Sequence, residues 1–442
     1  MSHLHKSSAP CTKSEVDLFS VPPTQTAIEE SQYITVSPIN SVSGVNNTPI
    51  DFVIPPLSDY FTDLSSAALS LKIQLVFEDD TPLPADYPAS PECNFLHSYF
   101  SQSSVSLNGK RVSSSSCNYA YRAYLEKLIN YSITSKRTHL QTCGYFIEGD
   151  RTKYAEVAKA NKDKVFDFYG KLHGDVFQQS NLLLNSVETR LRLIRSPSRF
   201  HINVGTLVDG QPRKNVVAKI LDVELFVRRV KLSSHVYLGV ERHLTRDTAK
   251  YPIRRVETRS YTIPNGLSSK SINNVVTGNL PQKVIFGILP HQAELGDYMK
   301  SCFHFTNSDL QQVSLCVNGS PVVKPYDLDF TSDATNLKRA YFDLFFTNGF
   351  IGSNSNGITF DEFKSVTTLF SFDLSQDQCS NFFSHINPIK QGDLSLKLKF
   401  KTPLTESVSV LFFLEFLDII EITRSCAVLY EVYIRMRMRF SD

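Results

Sequence analysis

A hydrophobic period of two residues, repeated between clusters of turn residues, is the feature that most constrains the fold of this chain of 442 residues. Apolar and polar side chains alternate without interruption over residues 69–75 and again over residues 394–400. Successive side chains of a strand point to opposite faces, so each run predicts a half-buried β-strand. Shorter runs of the same kind lie at residues 50–54, 105–107, 191–193 and 223–225. The pattern predicts an all-β protein.

The chain also repeats itself, because landmarks of the first half return in the same order roughly 200 residues later. Four pairs are visible: Ile54-Pro55 with Ile263-Pro264, residues 105–109 with 313–319, residues 191–193 with 396–398, and Glu224 with Glu415. The chain is also longer than the ~250 to 300 residues at which single hydrophobic cores stop growing. We therefore predict two β-sandwiches or jelly rolls in tandem, joined near residues 232–250.

Three further stretches carry structural predictions. Helical spacing brings five apolar residues onto one stripe and predicts a helical insertion formed by Tyr121, Tyr124, Leu125, Leu128 and Ile129. The apolar residues 408–420 are interpreted as a buried strand pair, since the stretch is too short and too often interrupted for a membrane-spanning helix. Long polar segments predict loops that rise as towers or clasp a neighbouring chain, at residues 78–99, 132–174 and 322–360.

Motifs that bind phosphate or calcium are incomplete. Residues 352–357 have the glycine spacing of a phosphate-binding loop, but Ile358 stands where the loop needs lysine. Residues 327–329 begin like a calcium loop, whereas Ser332 and Lys338 occupy the positions of the required glycine and glutamate. The first stretch is interpreted as a surface turn, and a calcium loop at the second is rejected.

Histidines and cysteines are spread evenly along the sequence. The closest pairs are Cys93 with His97 and Cys302 with His304, and neither has a second pair at the spacing of a zinc site. The cysteines show no C-x-x-C motif, and the first twenty residues hold no apolar run of signal-peptide length. We predict no catalytic residue, no cofactor, no metal site and no enzymatic activity.

Positive charge is concentrated near the predicted junction. Residues 190–259 carry sixteen Lys and Arg against six Asp and Glu, a net charge of +10, which leaves −8 on the rest of a chain whose total is +2. One interpretation is a basic face toward nucleic acid or an acidic neighbour, and the other is the polar outer faces of strands. The candidate residues facing the interior or nucleic acid are Arg228, Arg229, Lys231, Arg254, Arg255, Arg435, Arg437 and Arg439. The last three lie in a tail that alternates apolar and basic residues, which fits a docking strand or a disordered end equally well.

Several stretches resemble a known family. Residues 17–26 (DLFSVPPTQT) and 59–64 (DYFTDL) are similar to the opening of the double jelly-roll major capsid proteins of Polinton/Maverick elements and adintoviruses. Residues 121–131 resemble the helix of that family's first barrel, and residues 177–193 resemble its closing strands. Similar landmarks of the second half lie at residues 249–255, 278–281, 372–375 and 392–396. The basic tail after Tyr430 is not a feature of the family.

The resemblance implies a hexon-like structural subunit with two tandem jelly-roll β-barrels and short helical insertions. Three chains would form a homotrimer with six lobes, which assembles an icosahedral virion shell around a double-stranded DNA genome. The implied partners are neighbouring capsomers, penton or minor capsid proteins and, weakly, the packaged DNA, with no membrane span. Synthesis is expected in the host cytoplasm or nucleus. The predicted boundaries are 1–32 for an N-terminal arm, 33–235 and 236–430 for the two jelly rolls, and 431–442 for a basic C-terminal tail.

A different class of protein also fits the pattern. A two-domain jelly-roll protein that binds carbohydrate or a receptor would show the same tandem strands, although the absence of Trp disfavours a sugar site. A jelly-roll hydrolase would need a carboxylate pair or a metal set, and the sequence offers none at a recognisable spacing.

Overall fold

Strands make up most of the regular structure in the part of the chain that the computed structural model describes. The described residues are 7–8, 11, 14–42, 48–84, 87–113, 118–147, 156, 164–207, 214–330, 336–350, 355–381 and 385–430. The strands of the first half are β1 (Ile28–Val36), β2 (Ile50–Ile54), β3 (Tyr60–Phe77), β4 (Ala89–Pro91), β5 (Phe100–Leu107), β6 (Lys110–Arg111), β7 (Val165–Lys171), β8 (Thr189–Arg195), β9 (Ile202–Val204) and β10 (Val216–Leu232). Those of the second half are β11 (Ala249–Ile263), β12 (Ser269–Asn279), β13 (Lys283–Pro290), β14 (Leu310–Val317), β15 (Ser320–Pro321), β16 (Tyr326–Asp327), β17 (Leu369–Asp373), β18 (Gln391–Phe400), β19 (Val408–Ile422) and β20 (Val428–Leu429).

Helices are short and occupy the connections between strands. They are α1 (Phe95–Ser98), α2 (Tyr119–Asn130), α3 (Ile133–Arg137), α4 (Ser198–His201), α5 (Ser234–Leu244), α6 (His291–Leu295), α7 (Leu337–Phe346) and α8 (Phe360–Ser365). None of these helices combines the length and the apolar character that a bilayer-spanning segment requires. The helical stripe predicted from the sequence is confirmed as α2.

The two halves have the same sheet topology. The first half forms one sheet in the order β1-β10-β3-β7 and a second in the order β2-β8-β5-β6, with a small β4-β9 sheet beside them. The second half forms the orders β11-β19-β13-β17 and β12-β18-β14-β15, with β20 paired to β19 and β16 to β14. Taken in chain order, eight strands of one half therefore match eight of the other, and all the pairings are antiparallel. Two packed four-stranded sheets with this alternation of strands form a jelly roll, so the chain is a double jelly roll.

The repeated hairpin shows the equivalence at atomic detail. Asn108 and Gly109 have φ of 45° and 79°, and Asn318 and Gly319 have φ of 50° and 82°, the left-handed backbone that tight hairpin turns require. The Asn108 side chain accepts a hydrogen bond from the Glu188 backbone N at 2.8 Å. The Asn318 side chain accepts the same bond from its own barrel, at 2.8 Å from the Asp393 N. Each asparagine thus ties its hairpin to the next sheet strand of its own barrel.

The alternating runs form strands because their apolar residues fill the barrel interiors. In β3, residues 69, 71, 73 and 75 are fully buried, and in β18 the buried residues 394, 396, 398 and 400 alternate with less buried polar ones. The two interiors join into one continuous apolar core. Burial of this area offsets the conformational entropy that each strand loses on folding.

Two predictions from the sequence are wrong in detail. The predicted strand pair at 408–420 is the single strand β19, because its polar residues Glu415 and Asp418 are accommodated by ion pairs with arginines of β11 and no turn is needed. The landmarks Ile54 and Ile263 end β2 and β11, which are not equivalent strands. Ile-Pro marks the end of many strands because proline has no N–H for the ladder. The other three landmark pairs do fall on equivalent strands.

Candidate functional site at the inter-barrel interface

Helix α2 connects the two barrels and is the centre of what we call the inter-barrel interface. All its residues from Tyr119 to Ile129 are buried, including the charged ones. Tyr124 stacks on Phe303 of the second barrel with ring centroids 4.2 Å apart and an interplanar angle of 10°. Tyr121 meets the same ring edge-on at 5.7 Å. The helix therefore lies within the first barrel in the sequence, but its aromatic side chains pack against the second barrel.

A network of buried charges lies on the polar side of α2. Arg122 donates from Nε to Glu126 Oε1 at 2.8 Å and from Nη1 to Asp175 Oδ1 at 2.6 Å. Glu126 Oε2 accepts two more hydrogen bonds, from His173 Nδ1 and Gln178 Nε2, both at 2.6 Å. The helix and the connection between β7 and β8 are thereby fixed to each other.

Burial and pairing set the protonation of this network. Burial opposes the charge on Glu126, but Arg122 and His173 outweigh it and lower the pKa of the carboxyl to about 2. Burial lowers the pKa of His173 despite its contact with Glu126, so the ring is neutral and donates its Nδ1 proton. The neighbouring carboxylates Asp175 and Glu126 overcome burial and raise the pKa of Arg122. The network consequently holds an arginine cation between two acidic side chains, as a structural clamp does.

Three hydrogen bonds near this network join the first barrel to the second. The Val256 backbone N of β11 donates to Asp175 Oδ1 at 3.1 Å. Lys136 Nζ donates to the Asn356 carbonyl at 2.6 Å, and burial lowers the pKa of this lysine to about 7. Tyr251 OH of β11 donates to the Leu182 carbonyl at 3.2 Å. Backbone and side-chain groups of both barrels thus satisfy each other across the interface.

A polar cleft opens beside this network. One part, of about 450 Å³, lies between residues 178–181 and residues 252–254 of β11. A second part, of about 300 Å³, shares Gln178 and Arg254 with the first and reaches Glu126 and Glu415. No set of three or more His, Cys, Asp or Glu within the described ranges is arranged to hold a metal ion.

The Cys and His pairs considered from the sequence lie in separate surroundings. Cys93 Sγ donates to the Phe146 carbonyl at 3.2 Å, whereas His97 Nδ1 lies 3.0 Å from Tyr119 OH. Cys302 Sγ donates to the Phe200 carbonyl at 3.5 Å. These side chains bind the protein's own backbone and hydroxyl groups.

Two of the candidate basic residues are buried in the fold. Arg229 is 0% exposed, and its guanidinium donates to Thr62 Oγ1 at 2.8 Å and to the Pro55 carbonyl. Arg255 pairs with Glu257 and with Asp418 at 3.4 Å, and it lies over the Phe416 ring at 4.3 Å. Both guanidinium groups are therefore bound by other residues of the same chain.

The other candidates are paired nearer the surface. Arg254 binds Glu415 at 2.9 Å in the cleft. Arg228 and Lys231 lie further out, 3.4 Å from Asp63 and 3.3 Å from Glu29 respectively. Arg435, Arg437 and Arg439 lie outside the described residues.

The sequence predicted the apolar stripe of α2 but not its charged network. The available signal was the pair Arg122 and Glu126 at i and i+4 inside a strongly apolar helix. The partners His173 and Asp175 lie about fifty residues further along and come together with α2 only in the folded barrel.

Comparisons with known proteins agree with the fold. No family model matches the chain. An uncharacterized protein of Caenorhabditis elegans is 25% identical over 395 residues, which is 86% of this chain and 92% of the relative.

Among solved structures, the Sputnik virophage matches with a TM-score of 0.63 at 9% identity, over 100% of this chain and 97% of the other. The major capsid protein of mavirus matches with a TM-score of 0.58 at 10% identity, over 98% and 97%. The capsid of the PBCV-1 virus gives 0.59 at 9%, over 93% and 99%. At such identity the likeness establishes the fold, the double jelly roll.

Proposed function

We propose that this chain is a major capsid protein, a structural subunit that trimerises into a six-lobed capsomer and builds an icosahedral shell around double-stranded DNA. The observation that carries the proposal is the fusion of two topologically equal barrels, with the buried helix α2 of the first packed against the second. One such chain can fill two lobes of a hexagonal lattice position, so three chains fill six.

The comparisons support this proposal. The similar solved structures belong to viral particles or to a viral major capsid protein. We further propose that the chain belongs with the capsid proteins of Polinton/Maverick elements and adintoviruses. A nematode relative that aligns over 92% of its length is in keeping with a gene carried in animal genomes.

The remaining features of the proposal follow from a structural role. We propose two jelly-roll domains at 33–235 and 236–430, although β1 already begins at Ile28. Neighbouring capsomers and penton or minor capsid proteins are the proposed partners, and the virion is the proposed location. Arg122 and Glu126 of α2 are paired with each other and with Asp175 and His173, which favours a structural role over an enzymatic one.

The direct test is the oligomeric state of the purified full-length chain. Mass photometry and gel filtration are expected to give a mass of three chains, and negative-stain electron microscopy is expected to show rings with six lobes. A chain that stays monomeric at every concentration would rule out the capsomer. Glycan-array binding by a monomer would instead favour the carbohydrate-binding class.

We also propose that the basic tail contacts the packaged DNA. The purified capsomer is expected to bind duplex DNA with an affinity that falls as salt increases, since each neutralised phosphate releases counterions. Substituting Arg435, Arg437 and Arg439 by Ala is expected to reduce the slope of log K against log salt by about 2.7 for each chain whose tail contacts the DNA, that is about 0.9 for each phosphate contact. Arg229→Lys is the control for a buried arginine and leaves the slope unchanged. An unchanged slope in the triple variant contradicts the proposal.

A further inference from the structure

One sheet face is covered in the second barrel and open in the first. Strand β19 is buried along residues 408–416, on both faces. Its Phe413 and Glu415 share the cleft with Glu126 of α2, and the 3-10 helix Asp175–Phe177 packs on the adjacent β11. The equivalent strand β10 alternates between buried and half-buried residues over 223–228. The outer side of the first barrel's β1-β10-β3-β7 sheet therefore has no such cover within the described chain.

Aromatic side chains lie on that open face. Tyr33 of β1 is 65% exposed and Tyr169 of β7 is 47% exposed. Tyr169 contacts Phe226 of β10 edge-on, with ring centroids 5.8 Å apart. Large apolar groups left in water on a sheet face are typical of a surface that a partner covers. We call these three residues, with the sheet that carries them, the open face.

The helix equivalent to α2 has an exposed apolar side. Helix α2 follows the β5-β6 hairpin, and α7 follows the equivalent β14-β15 hairpin. On α7, Phe342 is 54% exposed and Phe346 is 52% exposed, and their rings stack with centroids 6.2 Å apart. The residues of α2, in contrast, are buried up to Ile129, because the helix packs between α1 and β5 of its own barrel and β11 of the second.

The connection after β17 also has exposed apolar side chains. In the first barrel the connection between β7 and β8 packs on β11, where Asn181 Nδ2 donates to the Lys250 carbonyl at 3.3 Å. In the second barrel the equivalent connection between β17 and β18 leaves Ile386 56% exposed and Ile389 44% exposed. The two elements that cover a sheet within the chain thus have equivalents in the second barrel, and each equivalent leaves two large apolar side chains exposed.

We propose that α7 and residues 385–390, which precede β18, of one copy cover the open face of a second copy, as α2 and the β7-β8 connection cover the equivalent sheet within the chain. This inference rests on the proposed capsomer and names its contact surfaces. The contact is heterologous, because one surface meets a different surface of the next copy. In a ring of three chains, three contacts lie within chains and three between them, all built from equivalent elements.

Surface variants of the full-length chain test the contact. The helix variant Phe342→Glu with Phe346→Glu and the face variant Tyr33→Glu with Tyr169→Glu each place charges in the contact. Each is expected to weaken trimerisation more than about a hundredfold in protein concentration, as the loss of two central interface aromatics does. Circular dichroism and thermal melting check that each variant stays folded.

The control places the same charges on exposed apolar residues elsewhere. Leu295 and Met299 are 65% and 71% exposed, and the variant with both changed to Glu is expected to trimerise like the wild type. If the helix variant or the face variant trimerises at the same protein concentration as the control, the proposed contact is wrong, but the proposed capsomer is not. A wild-type chain that never trimerises overturns the capsomer, and the contact with it.

Mixing the two variants gives a second readout. The face variant keeps an intact α7 and the helix variant keeps an intact open face, so a mixture is expected to form a one-to-one pair and no ring. Each variant alone stays monomeric. If instead each patch bound its own equivalent on the second copy, the two variants would form no complex with each other on mixing. That outcome overturns the proposal.

Discussion

At the scale of single residues, the charges buried around α2 are the most demanding feature of the molecule. Arg122 and Glu126 have side chains only 8% and 3% exposed, and their partners Asp175 and His173 are equally buried. Such an ion is tolerated only while its ion-pair and hydrogen-bond partners stay in place, because an unpaired ion in the interior loses its hydration without compensation. The network therefore ties the position of α2 to the correct fold of the first barrel.

Neutralising one acid should show this dependence. Glu126→Gln removes the carboxylate that accepts from Arg122, His173 and Gln178, and we expect the free energy of unfolding to fall by about 3 kcal/mol. Glu406→Gln is the matched control, because Glu406 forms an exposed ion pair with Lys300 at 3.2 Å; it should cost less than about 1 kcal/mol. Denaturant unfolding measures both, and equal losses would contradict the role of the network.

Buried histidines should make the fold sensitive to acid. Burial lowers the pKa of His201 to about 3, so the folded chain keeps it neutral while the unfolded chain takes up a proton near its ordinary pKa of 6.5. This contribution to stability is complete above pH 6.5 and is lost as the pH falls toward 3. Between pH 7 and pH 5 it amounts to about 2 kcal/mol.

The variant His201→Phe isolates that contribution. Phenylalanine keeps the ring packing against Phe95 and Tyr99 but cannot take up a proton. We expect the stability of this variant to fall less between pH 7 and pH 5 than that of the wild type, by about 2 kcal/mol. Parallel profiles for the variant and the wild type would disprove the assignment.

At the scale of elements, the connections of one barrel are shaped by the surface of the other. Gly357, in the connection before α8, has φ of +81°, and a Cβ at this position would lie 2.5 Å from Cδ1 of Ile133 in α3. Gly319, in the β14-β15 hairpin, has a similar φ of +82° but open space around it. The first glycine is required by contact and by backbone conformation, the second by conformation alone.

Alanine substitutions at these two glycines separate the effect of packing from the effect of backbone strain. Gly357→Ala and Gly319→Ala share the cost of a left-handed backbone, about 1 to 2 kcal/mol. Only Gly357→Ala pushes α3 away from the second barrel, so we expect it to lower the free energy of unfolding by a further amount of about 1 to 3 kcal/mol, the cost of an overpacked site, and the melting temperature with it. Differential scanning calorimetry measures the difference; equal melting temperatures would show that the contact between α3 and Gly357 does not constrain the interface.

At the scale of the whole molecule, the barrels form one continuous core. Tyr121 and Tyr124 of the first barrel are buried against Phe303 of the second. Each such ring covers about 150 to 250 Å² when buried, so separating the barrels would expose a large apolar surface. Such a junction makes the chain rigid, because its two barrels cannot turn independently.

Cooperative unfolding follows from that junction. We expect the full chain to unfold in one transition, seen at the same denaturant concentration by tyrosine fluorescence and by circular dichroism. Residues 1–235 expressed alone should bind a hydrophobic dye and aggregate, because the aromatic face of α2 would be left in water. A soluble, monomeric fragment with a sharp transition of its own would show that the barrels are independent domains.

The sequence by itself determined the strands, the two-fold repeat and α2, because hydrophobic periods of two and 3.6 residues are local properties of the chain. The repeated landmarks at residues 105–109 and 313–319 end in the Asn-Gly turns of equivalent hairpins, since such turns depend on neighbouring residues alone. Only the tertiary structure decided that Arg229 and Arg255 are buried among protein groups, because their partners come from strands far away in sequence. It also decided which face of each sheet is covered, and that asymmetry depends on how the barrels pack.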